Sequence, residues 1–186
     1  MPQPIYEKYP NFHCLTHLNP QSSDLSLFSC GIQKCPPGHI WNGPRPQYHL
    51  HFIIDGKGTL QVNDTTYHLK RRQLFLCPPD TPLRYNADSA DPWHYAWVSF
   101  YGPKAVLWLK QAGFDQKHLI RESYVPIEQF TILIQKLLTT SKPTASNELK
   151  QLSCLFHLMS LLISSNINAK DASGIRSTKS NEALLE

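Results

Sequence analysis

The sequence lacks a Cys-x-x-Cys pair, and its cysteines, Cys14, Cys30, Cys35, Cys77 and Cys154, number five. An odd, unpaired set argues against a disulfide framework or a zinc ribbon and suits free thiols in a reducing cytoplasm. Cys30 and Cys77 lie among strand residues and read as small core fillers. No stretch reads as a secretory leader, and no apolar run is expected to be long enough to span a bilayer. No charge of one sign dominates either. Lys and Arg total 18 against 14 Asp and Glu, a net charge of +4, and the densest basic cluster, Lys70-Arg71-Arg72, sits at a strand turn, where a solvated turn is favoured over a nucleic-acid patch. Catalytic signatures are missing as well. Ser99 has no Gly-x-Ser-x-Gly elbow, no cysteine has an activating partner, and Gly56-Lys57-Gly58 lacks the spacing and the following helix of a phosphate loop.

What the chain does have is an apolar fraction of 41% and an aromatic fraction of 11% in 186 residues. That is enough for one good-sized domain plus a small appendage. Residues 1–23 are rich in Pro, Asn, Gln and Ser and read as an extended arm with anchors at Ile5, Tyr6 and Phe12. Short alternating strands follow over 24–102: Leu25–Phe28, His39–Trp41, His49–Asp55, Thr59–Val62, Thr66–Leu69, Gln73–Cys77, Arg84–Asn86 and His94–Tyr101. Gly, Pro and Asn-Asp turns separate them. On the last strand Tyr95, Trp97, Ser99 and Tyr101 share one face, and His94, Ala96, Val98 and Phe100 the other.

Over 103–166 the period changes from two to nearly four. Helices are expected at Pro103–Ala112, Pro126–Thr140 and Ala145–Ser164, the last two forming an antiparallel hairpin. The third carries an apolar stripe in which Leu152, Leu155, Met159 and Leu162 are the expected contacts to a twin helix of a second subunit. Residues 167–186, carrying Asn, Ser, Lys and Gly, read as a flexible linker.

The segments CGIQKCPPGH, RPQYHLHFIIDGKGTLQV, LFLCPPDTPLRYNAD and DPWHYAWVSFYG, in that order and at that spacing, resemble the amino-terminal regulatory domain of AraC-type transcription regulators. The helices and linker fit as well, so the resemblance covers most of the chain. It implies a mainly β fold, a cupin-like double-stranded β-helix followed by a helical hairpin, which binds a small effector, often a sugar or glycoside, and forms a homodimer in the bacterial cytoplasm. In that family DNA is bound by a carboxy-terminal domain with two helix-turn-helix motifs. No such domain is present here, so the sequence is read as a fragment ending at Leu185-Glu186. No cofactor, no membrane association and no enzymatic activity are expected.

The resemblance also directs attention to particular side chains. Arg45 precedes the His49–Asp55 strand, where the family places an arginine that grips effector oxygens with its planar fork. Trp97 is placed to stack on a sugar ring, and Tyr85 and Tyr95 to offer hydroxyls. His49 and His51 serve as neutral hydrogen-bonding partners, with Gln33 and Trp41 as further pocket residues. The arm Pro2–Phe12 is expected to close over the barrel mouth. The rival reading is a metal-dependent cupin enzyme acting on a small carbohydrate. His49-x-His51 points both imidazoles to one side, but Leu83 stands where metal cupins supply a further histidine, and nothing fixes His68 or His94 as a substitute.

Overall fold

The computed structural model describes residues 5–16 and 24–182. In chain order its elements are β1 (Ile5–Tyr9), β2 (Phe12–Thr16), β3 (Ser26–Lys34), β4 (Ile40–Gly43), β5 (Tyr48–Asp55), β6 (Lys57–Val62), β7 (Thr65–Lys70), β8 (Gln73–Cys77), β9 (Leu83–Ala87), β10 (His94–Tyr101), α1 (Ala105–Gln111), β11 (Ile120–Glu122), α2 (Ile127–Leu138) and α3 (Ala145–Glu182). The alternating segments become two antiparallel sheets. One is seven-stranded in the order β1-β2-β3-β10-β5-β8-β11; the other is four-stranded in the order β4-β9-β6-β7. From β3 to β10 the chain passes back and forth between β3-β10-β5-β8 in the first sheet and the second sheet. That is the jelly-roll path of a cupin-like barrel.

The two-residue period of β5, β8 and β10 divides their side chains between two cores. Leu50, Phe52, Leu74, Leu76, Ala96, Val98 and Phe100 face the helices and meet Phe130, Ile134, Leu155 and Met159. The Phe52 and Phe130 rings stack with centroids 4.8 Å apart. The alternate residues, among them Phe75, Cys77, Tyr95 and Trp97, face Leu60, Leu69 and Tyr85 of the second sheet. Gly56, at φ 71°, makes the turn from β5 to β6 where a Cβ would sit 2.5 Å from the Pro92 carbonyl oxygen, a close approach only glycine permits.

Several elements differ from their sequence-based bounds. Within the expected arm, residues 5–16 form a β-hairpin that extends the first sheet, with Cys14 opposite Gly31 and Leu15 opposite Cys30. Cys14 and Leu15 are buried, and that burial outweighs the turn-rich composition around them; residues 1–4 and 17–23 lie outside the described residues. The expected linker is helical to Glu182. No proline follows Pro143, and Gly174 is the one glycine on this stretch, so nothing there breaks the i→i−4 ladder. Residues 183–186 lie outside the described residues. β11 is too short for an alternation signal. It is held to α3 by Arg121, whose Nη2 donates to Asn166 Oδ1 at 2.6 Å, while Asn166 Nδ2 donates to the Gln111 carbonyl at 2.8 Å.

The apolar stripe of α3 packs inward. Leu155, Met159 and Leu162 belong to the core shared with the sheet, and Leu152 is half-buried. The first three are therefore unavailable as an exposed interface. Among the described residues, the large apolar groups that α3 leaves exposed are Leu149 (68%), Phe156 (40%) and Ile167 (52%). By length and composition Ala145–Ala169 is apolar enough to cross a bilayer, contrary to expectation, yet its inner face is taken up by this core.

At Gly31 an added Cβ would run into the Trp97 ring and the His13 carbonyl. Gly31→Ala is expected to lower the unfolding free energy by about 1–3 kcal/mol, as read from urea denaturation. A change within a few tenths of a kcal/mol would show that this close approach carries no constraint.

Candidate functional site

The inward residues of β10 line up across the sheet with those of β3, β5 and β8. Trp97 lies between Gly31 and His51, with Phe75 beyond; Ser99 lies between Ser29 and His49, with Cys77 beyond. Residues opposite one another in an antiparallel ladder share a face, so this register gathers the two histidines, the tryptophan and the serine on one surface. The second sheet closes over them with Tyr85 of β9 and Trp41 of β4.

Each of the eight side chains singled out from the sequence falls in this one network. Arg45 is in the β4–β5 loop, held by a hydrogen bond from the Asp80 amide to its carbonyl at 2.7 Å. Its guanidinium lies 3.9 Å from the centroid of Trp41 and donates through Nη2 to the Tyr85 hydroxyl at 3.2 Å. Trp41 in turn stacks on Tyr85 at 5.2 Å. Tyr95 donates its hydroxyl to Gln33 Oε1 at 3.0 Å. His51 is fully buried, stacked 4.2 Å from Phe75, with the rings of Tyr85 and Tyr95 at 4.9 and 4.7 Å. His49 hydrogen-bonds Ser99 through Nδ1, 4.5 Å ring to ring from His51. Trp97 is 7% exposed and lies between Tyr95 at 5.9 Å and Phe12 of the hairpin at 5.8 Å.

Some polar atoms in the network are unsatisfied. Both ring nitrogens of His51 and Nε of Arg45 are buried with no hydrogen-bond partner. Such groups cost free energy unless something else meets them. The electrostatics leave the network mostly neutral. Burial, then the Arg45 charge, holds the His49 imidazole well below its usual range; at His51 burial, His49 and Arg45 act together in the same direction. Burial also pushes the Tyr85 and Tyr95 phenols up and the Cys77 thiol up to about 12. The result is a set of neutral donors and acceptors beside one guanidinium and several aromatic faces, suited to hydroxyl groups on a partly apolar ring. His49 is engaged by Ser99, and among the described residues no group of three or more His, Cys, Asp or Glu side chains is gathered as a metal ion requires.

Sequence reasoning missed three participants. Phe75 reads as part of a continuous apolar run, although its parity with Cys77 puts it on the inner face. Ser99 reads only as a nucleophile lacking its elbow, whereas it is the hydrogen-bond partner of His49. Phe12 reads as an arm anchor with no address; no local pattern connects it to Trp97.

The family model described as the AraC-like ligand binding domain matches residues 27–173. The Msm operon regulatory protein of Streptococcus mutans is 36% identical over 75% of this chain and 51% of its own length. The Lactose operon transcription activator of Staphylococcus xylosus is 28% identical over 73% of this chain and 50% of its own. The Raffinose operon transcriptional regulatory protein of Pediococcus pentosaceus is 34% identical over 43% and 30%. The chain thus spans about half the length, or less, of these relatives. Among solved structures, an oxalate decarboxylase variant from Bacillus subtilis aligns at 14% identity and a TM-score of 0.41, covering 66% of this chain and 41% of that one.

Because folding keeps His49 and His51 neutral, their contribution to stability is complete above the unfolded histidine value of about 6.5 and is lost as pH falls towards their lower folded values. Each adds a slope of at most about 1.4 kcal/mol per pH unit in that window. The urea midpoint is expected to fall between about pH 7 and about pH 5. His51→Leu should flatten that fall and, by removing two unpaired nitrogens, raise stability at neutral pH by about 1 kcal/mol. A steeper fall in the variant would contradict the assignment.

Proposed function

Because this chain belongs to the family of AraC-like ligand-binding domains, we propose that its barrel binds a sugar whose occupancy is read by the transcription regulator of which the domain is part. The observation that carries this reading is the unpaired Arg45 Nε and the unpaired ring of His51, which lies directly across the strand pair from Trp97. A bound saccharide supplies oxygens to the first two and an apolar ring face to the third. Lactose and raffinose, the sugars in two of the relatives' names, both carry a galactosyl unit, and we take a galactoside as the effector.

Phe12 occupies the side of Trp97 that a sugar ring would use. Sugar binding and the closed position of the β1–β2 hairpin are then coupled, and the effector acts by unequal affinity for the two hairpin positions. Shifting such an equilibrium from 1:99 to 99:1 takes a preference of about 10⁴-fold. In this scheme the domain works without catalysis, in the cytoplasm, as a homodimer, and DNA is bound through a further domain that α3 leads towards. The exposed Leu149, Ile167 and Phe156, the last 5.4 Å from Trp108, are apolar groups of α3 left for a second copy to cover.

Titration of raffinose, melibiose and lactose followed by tryptophan fluorescence is expected to saturate, and Arg45→Ala or Trp97→Ala to weaken binding by about 10-fold or more. His51→Leu should weaken it while stabilising the fold. No change in fluorescence or melting temperature with any galactoside would sink the galactoside assignment.

A further inference from the structure

A hollow of 330 Å³ lies on the opposite side of the second sheet from the ring network. The register places its polar groups. Thr59 of β6 faces His68 of β7 on one side and Asn86 of β9 on the other, and Lys57 faces Lys70 one step along the same face. This is the outward face, since Leu60 and Tyr85, one residue on, are buried inside the barrel. The floor carries an unmet demand: Asn86 Oδ1 is buried with no hydrogen-bond partner. The rim carries two ammonium groups. Asp88, the acidic residue on the lining, accepts the Ala90 and Asp91 amides through Oδ1 at 2.9 Å each, and its charge offsets part of that of Lys57, which leaves the lining a net positive charge.

A ligand complementary to this hollow needs a hydroxyl to donate to Asn86, further hydroxyls for Thr59 and His68, and an anion to lie between Lys57 and Lys70. We propose that the outer hollow is a second small-molecule site, taking a phosphorylated monosaccharide. Its volume, about 330 Å³, sits at the small end of ligand pockets, which has room for one sugar ring with its phosphate. The site shares no side chain with the barrel network, so it stands whether or not the barrel takes a galactoside.

Isothermal titration of the whole chain with glucose 6-phosphate, inorganic phosphate and glucose tests this. Saturable binding of glucose 6-phosphate is expected, weakened about 10-fold or more in the Lys57→Gln, Lys70→Gln double variant and by added salt, and weakened also in Asn86→Ala. The lysines are exposed, so the double variant should keep the parent's melting temperature. Absence of glucose 6-phosphate binding, an unchanged affinity in the double variant, or inorganic phosphate binding as tightly as the sugar phosphate would each overturn the proposal.

Discussion

The structure depends on β10 being buried on both of its faces. A strand that packs against helices on one side and a second sheet on the other has no register to spare: a slip of one residue would send Tyr95 and Trp97 into the helical core and Ala96 and Val98 into the barrel. Tyr95 and Trp97 fill the barrel side, where Gly31 leaves room for the Trp97 ring. Ala96, Val98 and Phe100 fill the side closed by α2 and α3. Both cores therefore enforce one alignment of β3, β10, β5 and β8, and that alignment is what sets His49, His51, Trp97 and Ser99 in one patch.

The same constraint made the barrel legible in the sequence. Where a strand has two distinct faces, alternation reports them, and Tyr95-x-Trp97-x-Ser99 against Ala96-x-Val98-x-Phe100 was readable without coordinates. Gln73–Cys77 and His94–Tyr101 have their sequence-based bounds in the structure. Position in the fold was harder to read where the partner was distant. Phe12 and Trp97 are far apart in sequence and meet through β2 pairing on β3; only the topology joins them. Ile120–Glu122 holds its place through pairing with β8, too brief a run for any period to emerge. The α3 stripe shows the reverse difficulty. An apolar helical face announces that something covers it, but Leu155, Met159 and Leu162 look the same whether the cover is the chain's own sheet or another subunit.

The barrel interior trades stability for chemistry. A well-packed apolar filling would satisfy the fold better than His51 with both nitrogens unpaired, or Arg45 with Nε buried and idle. Sites that leave such groups waiting are where function departs from packing. The neutral state of the histidines leaves uncharged imidazoles that can meet a ligand hydroxyl as donor or acceptor without the desolvation cost of a second cation near Arg45.

The bond from Arg121 to Asn166 fixes the root of a long rod. From Asn166 the helix runs on to Glu182, about 24 Å at the usual rise per residue. Tilting a lever of that length by about 5° at its base would carry the tip some 2 Å sideways, a magnification set by the rise per residue. Because the fulcrum is clasped to β11, and β11 is laced to β8 alongside the barrel wall, a sub-ångström adjustment of that wall would be geared up into displacement at the far end without any joint having to open.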